Sequence, residues 1–297
     1  MPEGLRLWNF QPYRFIEVSP VAGAMGAEIG GVDLADSPDD EVFREIYQAL
    51  LEYQAIFFRE QELTPEQYLA FAKRWGGIHL HPFMKGMDDH PEILELIKTE
   101  KDTRAFGNAW HSDQMFSPIP AKATMLYAHE TPDAGGDTLY ASLYSAYDAL
   151  SDGMKAMLGN LRAFNAGDKM KVNGGQSRRE RYAGVLNETM KVVDPVDVQT
   201  ESLHPVIRTH PETGRKALYI GAHTQHLADM TDEESAPLMD MLMRHIRKPE
   251  FTCRFRWRPG SLAIWDNRCC QHYAINDYAG KRRRMHRITI AGEEAPF

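Results

Sequence analysis

Cysteine is nearly absent from this 297-residue chain: there are three, two of them adjacent at Cys269 and Cys270, which supplies no disulfide framework. That scarcity suits a reducing compartment, so the cytoplasm is the expected location. No stretch approaches the roughly 18 consecutive apolar residues a membrane span needs, and the first residues, Met1 to Trp8, lack the apolar core of a secretory leader. Basic charge is also in deficit. Lys and Arg number 34 against 42 Asp and Glu, for a formal net charge of −8, which argues against nucleic acid as a partner. The one dense basic cluster, Lys281 to Arg284, reads as a solvated turn or strand edge apart from Arg283, discussed below. Gly23, Gly26, Gly30 and Gly31 lack the spacing of a nucleotide-binding fingerprint. No linker divides the chain, so residues 1–297 are expected to form a single domain.

What is present reads as short strands interleaved with helices. Residues 14 to 34 suggest strands and turns; Ser37-Pro38 offers an N-cap and first helical position, with Val42, Ile46, Ala49 and Tyr53 at helical spacing. Ala55 to Phe58 reads as a buried strand, and Thr64-Pro65-Glu66-Gln67 as a capping box opening a second helix. A short strand over Ile93 to Ile97 and an apolar one over Thr124 to Ala128 follow. Thr138 to Ser142 is a strand, and Tyr144 to Arg162 is helical with a break near Ser151. Residues 165 to 203 look like a long insertion. Two strands, 204–211 and 216–220, precede a helix capped by Thr231 and Glu234. Phe251, Cys253, Phe255 and Trp257 then alternate with polar residues in a two-faced strand, before Leu262 to Trp265 leads into the last segment.

Two separated stretches carry the chemistry. Trp110-His111-Ser112-Asp113 holds a His-x-Asp pair whose side chains share one side of an extended segment. Far downstream, Trp265-Asp266-Asn267-Arg268 leads to His272. Two imidazoles and one carboxylate form the facial ligand set of a non-heme iron(II) oxygenase, which leaves open positions for a chelating cosubstrate and dioxygen. After His272, Arg283, Met285 and Arg287 share one strand face while His286 points the other way. Two guanidinium groups facing one interior each imply an anion. His79 and His81 invite a zinc reading, but no further ligands stand at suitable spacing.

These motifs, with Gly135-Gly136-Asp137-Thr138 between them, resemble the TauD/TfdA family of Fe(II)/2-oxoglutarate-dependent dioxygenases over nearly the whole chain. The resemblance implies iron ligation by His111, Asp113 and His272, and binding of the far carboxylate of 2-oxoglutarate by Thr138 and Arg283. It implies that Arg287 receives an anionic substrate, with His81 and Asn108 as further substrate contacts. It also implies O2 as oxidant, hydroxylation of a small organic anion with conversion of 2-oxoglutarate to succinate and CO2, and C–S or C–O cleavage where the hydroxylated carbon bears a heteroatom. The chain should be a homo-oligomer with an α+β, mainly β fold: a double-stranded β-helix, or jelly-roll, flanked by helices. Taurine-using members commonly carry an aromatic where Met84 stands and an asparagine where Gly107 aligns. This chain departs at both, which weighs against taurine and leaves another sulfonate, a sulfate ester or an aryloxyalkanoate. The alternatives are a metal-dependent hydrolase on the same three ligands and a non-catalytic jelly-roll binding protein.

Overall fold

The computed structural model describes residues 8–103, 107–168, 174–177, 180, 193 and 198–297. Most of the insertion expected over 165–203 lies outside them. The strands, in chain order, are β1 (Glu17–Pro20), β2 (Ala27–Gly30), β3 (Ala55–Phe58), β4 (Leu94–Lys98), β5 (Ala123–Glu130), β6 (Thr138–Ser142), β7 (Arg162–Ala166) and β8 (Glu201–Pro205), then β9 (Ile207–Thr209), β10 (Lys216–Leu218), β11 (Thr224–Leu227), β12 (Thr252–Phe255), β13 (Leu262–Asp266), β14 (Cys270–Ala274) and β15 (Arg283–Ile290). The helices are α1 (Asp40–Tyr53), α2 (Pro65–Lys73), α3 (Leu143–Asp148), α4 (Asp152–Leu158) and α5 (Asp232–Ile246). This is a mixed α and β fold with one large sheet. No helix among the described residues is long and apolar enough to cross a membrane.

The large sheet has seven strands in the order β1-β2-β3-β13-β5-β15-β4, antiparallel except where β2 meets β3. A smaller sheet, β12-β6-β14, shares an apolar core with it. Strand alternation explains how. From the large sheet, Phe57, Leu126, Ala263, Trp265 and Met285 point to this shared core, while Ile56, Met125, Ile264 and Ile288 point to the opposite face and pack on α1 and α2. From the small sheet, Tyr140 and Cys270 face inward, and Ala141 faces a third cluster built with α3, α5 and the β9–β10 hairpin. Each fully buried Leu, Ile or Phe contributes on the order of 1.5–3 kcal/mol. Because the period is two, the polar residues with the same parity as the inward set, namely Thr124, Arg283, Arg287 and Thr138, must also face between the sheets.

The capping boxes at Thr64 and Thr231 both form. In α5, acidic residues fill the first turn and Arg244 and His245 the last, as the helix dipole favours. The start of α1 differs from the sequence expectation. Ser37 does not cap it; Ser37 sits at φ 51° and ends a 3-10 turn over Leu34–Asp36, and α1 begins at Asp40. Tertiary bonds explain the shift, because the Gln61 side chain accepts from Leu34 N while Arg74 donates to the Pro38 carbonyl and to Asp40. The helical reading of 144–162 also shortens: α4 ends at Leu158, and Arg162 already belongs to β7.

Candidate active site

The site forms where β14 meets the segment carrying Trp110 to Asp113. His111 and His272 pair as an isolated antiparallel bridge, each amide donating to the other's carbonyl at 3.2 and 2.9 Å. Ser112 turns away and donates to the Cys270 carbonyl at 2.8 Å, so His111 and Asp113 both point inward. The chain then reverses at Gln114, whose φ of 56° lies in the left-handed region. One ligand atom from each of His111, Asp113 and His272 lies within 4.8 Å of the others.

Surrounding groups fix that arrangement. His111 Nδ1 lies 2.6 Å from the Ala109 carbonyl, which makes it the protonated nitrogen and leaves Nε2, 3.5 Å from Asp113 Oδ1, as the free donor. Thr124 Oγ1 donates to Asp113 Oδ2 at 2.7 Å, and Asn267 donates to Thr124 and accepts from Asp113 N. Trp265 Nε1 donates to the same Asn267 oxygen at 3.1 Å. Arg287 reaches from β15 to put Nη2 2.7 Å from Asp113 Oδ1. Burial pushes the Asp113 carboxyl upward, yet the Arg287 guanidinium, with smaller contributions from the neighbouring His272 and His111, outweighs it and holds the group well below the usual carboxylate range. Burial and the neighbouring His111 drive His272 well below the usual imidazole range, so it is neutral at pH 7. An ionised carboxylate and a neutral imidazole are the states a divalent metal requires.

Between the sheets lies a second polar group. Arg283 is 8 % exposed, and its Nε and Nη2 are buried without a partner. Its guanidinium is 5.7 Å from the Trp257 ring centre, and Trp257 Nε1 donates to Thr138 Oγ1 at 2.9 Å. Burial lowers the pKa of Arg283, partly offset by Tyr278 and Tyr140. A buried guanidinium with two orphaned N–H groups is costly unless an anion completes it. Gly135 and Gly136 position the start of β6. Both have positive φ, and a side chain at Gly135 would meet Asp277 Oδ1 at 2.7 Å.

The three expected metal ligands therefore meet, and Thr138, Arg283 and Arg287 face the same interior. Asn108 is half-buried on the loop leading to His111. His81 turns Nδ1 to the Phe83 amide at 3.1 Å. Its neighbour His79 is the one whose titration, lowered by burial, also responds to Arg287 and Asp113. Sequence reasoning missed Thr124 and Asn267. A threonine at the head of the otherwise apolar run Met125 to Ala128 was the available signal for the first; nothing local marked the second.

A second cluster, His210, Asp266 and Cys269, also has metal-like proximity. Its carboxylate is already satisfied: Arg268 donates Nε to Oδ1 at 2.8 Å and Nη2 to Oδ2 at 2.7 Å, and His210 Nε2 lies 3.0 Å from Oδ2. Burial and the adjacent Asp266 push the Cys269 thiol well up, away from thiolate. This cluster is a structural polar network.

Residues 17–289 match the model of the taurine catabolism dioxygenase TauD, TfdA family. The chain belongs to the TauD/TfdA family. Among relatives, it is 34% identical over 283 residues to an alkylsulfatase of Acinetobacter baylyi, covering 95% of this chain and 87% of that protein. It is 33% identical over 283 residues to an alpha-ketoglutarate-dependent sulfate ester dioxygenase of Pseudomonas putida, covering 94% and 90%. A crystal structure of a taurine dioxygenase from Burkholderia xenovorans superposes with a TM-score of 0.78 at 32% identity, covering 95% of this chain and 93% of that one. The TauD/TfdA assignment agrees with the donor set, which is a nitrogen and oxygen cluster without thiolate.

Proposed function

We propose that His111, Asp113 and His272 bind iron(II) in a 2-oxoglutarate-dependent dioxygenase that hydroxylates a small organic anion. One observation carries this: two imidazoles, that of His272 buried and that of His111 half-buried, converge with an ionised carboxylate in the same interior as a buried, incompletely paired arginine. In this reading the iron, once bound, activates O2 and couples conversion of 2-oxoglutarate to succinate and CO2 with hydroxylation of a substrate C–H bond. The protein contributes position and charge. Arg283 takes the far carboxylate of 2-oxoglutarate in a charge-assisted pair, and the Thr138 hydroxyl adds a hydrogen bond. Arg287 receives the anionic end of the substrate beside the metal, and His81 and Asn108 border it.

Among anions, the site favours a sulfate ester with an apolar chain. The wall next to His111 is apolar and aromatic: His223 lies 6.0 Å from His111 ring to ring, Phe116 lies 5.0 Å from His223, and Phe83 lies 5.7 Å from Phe116, with Met84 buried nearby in sequence. Gly107 carries no side chain, so it cannot make the asparagine contact of the taurine type. A carbon hydroxylated next to the ester oxygen collapses to an aldehyde and free sulfate, since the C–O bond breaks as the new hydroxyl loses its proton.

The same reading makes the facing sheets a jelly-roll and residues 1–297 one domain, supported by strands that alternate between shared cores. It places the protein in the cytoplasm as a homo-oligomer, the latter on family resemblance alone. Anaerobic addition of iron(II) and 2-oxoglutarate should give a weak visible charge-transfer band. With oxygen, alkyl sulfates should drive 2-oxoglutarate loss and sulfate release. Turnover only with neutral or cationic compounds would rule the substrate class out.

A further inference from the structure

Tyr140 occupies the centre of β6, two positions after Thr138 and on the same inward face, directly opposite His272 on β14. Its ring centre is 6.4 Å from the His272 ring, 5.6 Å from Trp265 and 5.5 Å from Phe57. The side chain is fully buried, and its hydroxyl has no hydrogen-bond partner. Packing alone does not call for that oxygen. An orphaned buried hydroxyl costs about 1–3 kcal/mol, which phenylalanine would avoid with the same ring.

The position of the hydroxyl points to its use. His272 stands directly across from Tyr140, and Thr138 on the same strand face is bonded by Trp257, whose ring lies 5.7 Å from the Arg283 guanidinium, so Tyr140 sits between the cosubstrate arginine and the metal cluster. Arg283 Nε and Nη2 share its condition, being buried donors with no acceptor. Three unmet donors in one region require an acceptor-rich guest, and a dicarboxylate that reaches from the metal ligands to Arg283 is one.

We infer that Tyr140 binds 2-oxoglutarate, its hydroxyl donating a hydrogen bond to a carboxylate oxygen alongside Arg283 and Thr138. This rests on the 2-oxoglutarate reading of the site and adds a third side chain to it. The residue is set for this by register: Thr138 and Tyr140 stand on one strand face of β6, opposite Ala274 and His272, so both hydroxyl-bearing side chains share the face that meets His272.

The test uses the full chain loaded with iron(II) under nitrogen, comparing wild type with Tyr140→Phe. Wild type should bind 2-oxoglutarate, and the variant should bind it roughly tenfold or more weakly, as expected for a hydrogen bond to a charged group. KM for 2-oxoglutarate should rise while KM for the organic anion stays put, and metal affinity should not change. The metal-free variant should melt no lower than wild type, because it loses an orphaned hydroxyl and keeps the ring. A 2-oxoglutarate affinity within twofold of wild type overturns the assignment, as does a lowered melting point without metal, which would show a structural partner for the hydroxyl. Failure of wild type itself to bind 2-oxoglutarate would overturn the proposed function and this inference together, and so is distinguishable from failure of Tyr140 alone.

Discussion

Two His–Asp clusters sit in the same protein interior, and the contrast lies in what surrounds the carboxylate. At Asp266, the guanidinium of Arg268 and the ring of His210 take both oxygens, and Arg268 extends the network to Glu212, which Tyr47 of α1 also contacts at 2.8 Å. At Asp113, Thr124 takes one oxygen, while the other faces two imidazoles at 3.5 and 3.9 Å and the Arg287 guanidinium. Proximity of ligand-type atoms is therefore common to both. The difference is that the first cluster is complete as it stands, whereas the second gathers electron-pair donors around a point that only a cation, or in its place Arg287, can occupy.

The contrast can be broken from either side. The largest effect should come from His272→Ala, which removes one of the three proposed ligands: turnover should fall to background and added iron(II) or manganese(II) should no longer raise the melting temperature, while the apo fold survives. A metal-induced shift equal to wild type would mean the ion binds elsewhere. Arg268→Ala should do the reverse. It strands Asp266 in a fully buried position and should cost about 3–5 kcal/mol in denaturant unfolding, with the metal-induced shift retained in the protein that remains folded.

Acid should separate the clusters further. Burial, reinforced by Arg268, depresses His210 to about 4, so the folded state keeps this ring neutral while the unfolded state takes up a proton below about 6.5. Stability linked to His210 is therefore present above that point and falls as the pH drops from about 6.5 to 4, by at most roughly 3 kcal/mol. His204, also lowered by burial to about 4, steepens the same window, so the readout is the difference between wild type and His210→Asn. Equal slopes in the two would contradict the linkage. A smaller and more local effect is expected of Arg283→Ala, which should weaken 2-oxoglutarate binding by about 1.5–3 kcal/mol, roughly 10- to 150-fold, with unfolding stability unchanged or raised. Equilibrium titration against melting temperature checks both halves.

Much of this was legible because strands repeat every two residues. The shared face of Arg283 and Arg287, and the shared side of His111 and Asp113, follow from alternation alone and hold in the folded chain. The ends of α1 were not legible in the same way. Ser37-Pro38 is a good local start, but Gln61 and Arg74, distant in sequence, bind the backbone there and move the helix to Asp40. The groups that hold the ligands were hidden for a similar reason. Thr124 and Asn267 matter only because β5 and the end of β13 lie side by side, with Thr124 opposite Trp265. Likewise the orphaned hydroxyl of Tyr140 has no signature in a run that reads simply as a strand.

The reciprocal amide bonds between His111 and His272 join two parts of the polypeptide that are remote in the chain, and they do so with backbone rather than side chains. Backbone seams do not depend on which residues they carry. Substitutions among the chemical groups on either side can therefore be sampled without loosening the frame, which leaves the architecture free to drift in specificity while its geometry is inherited intact.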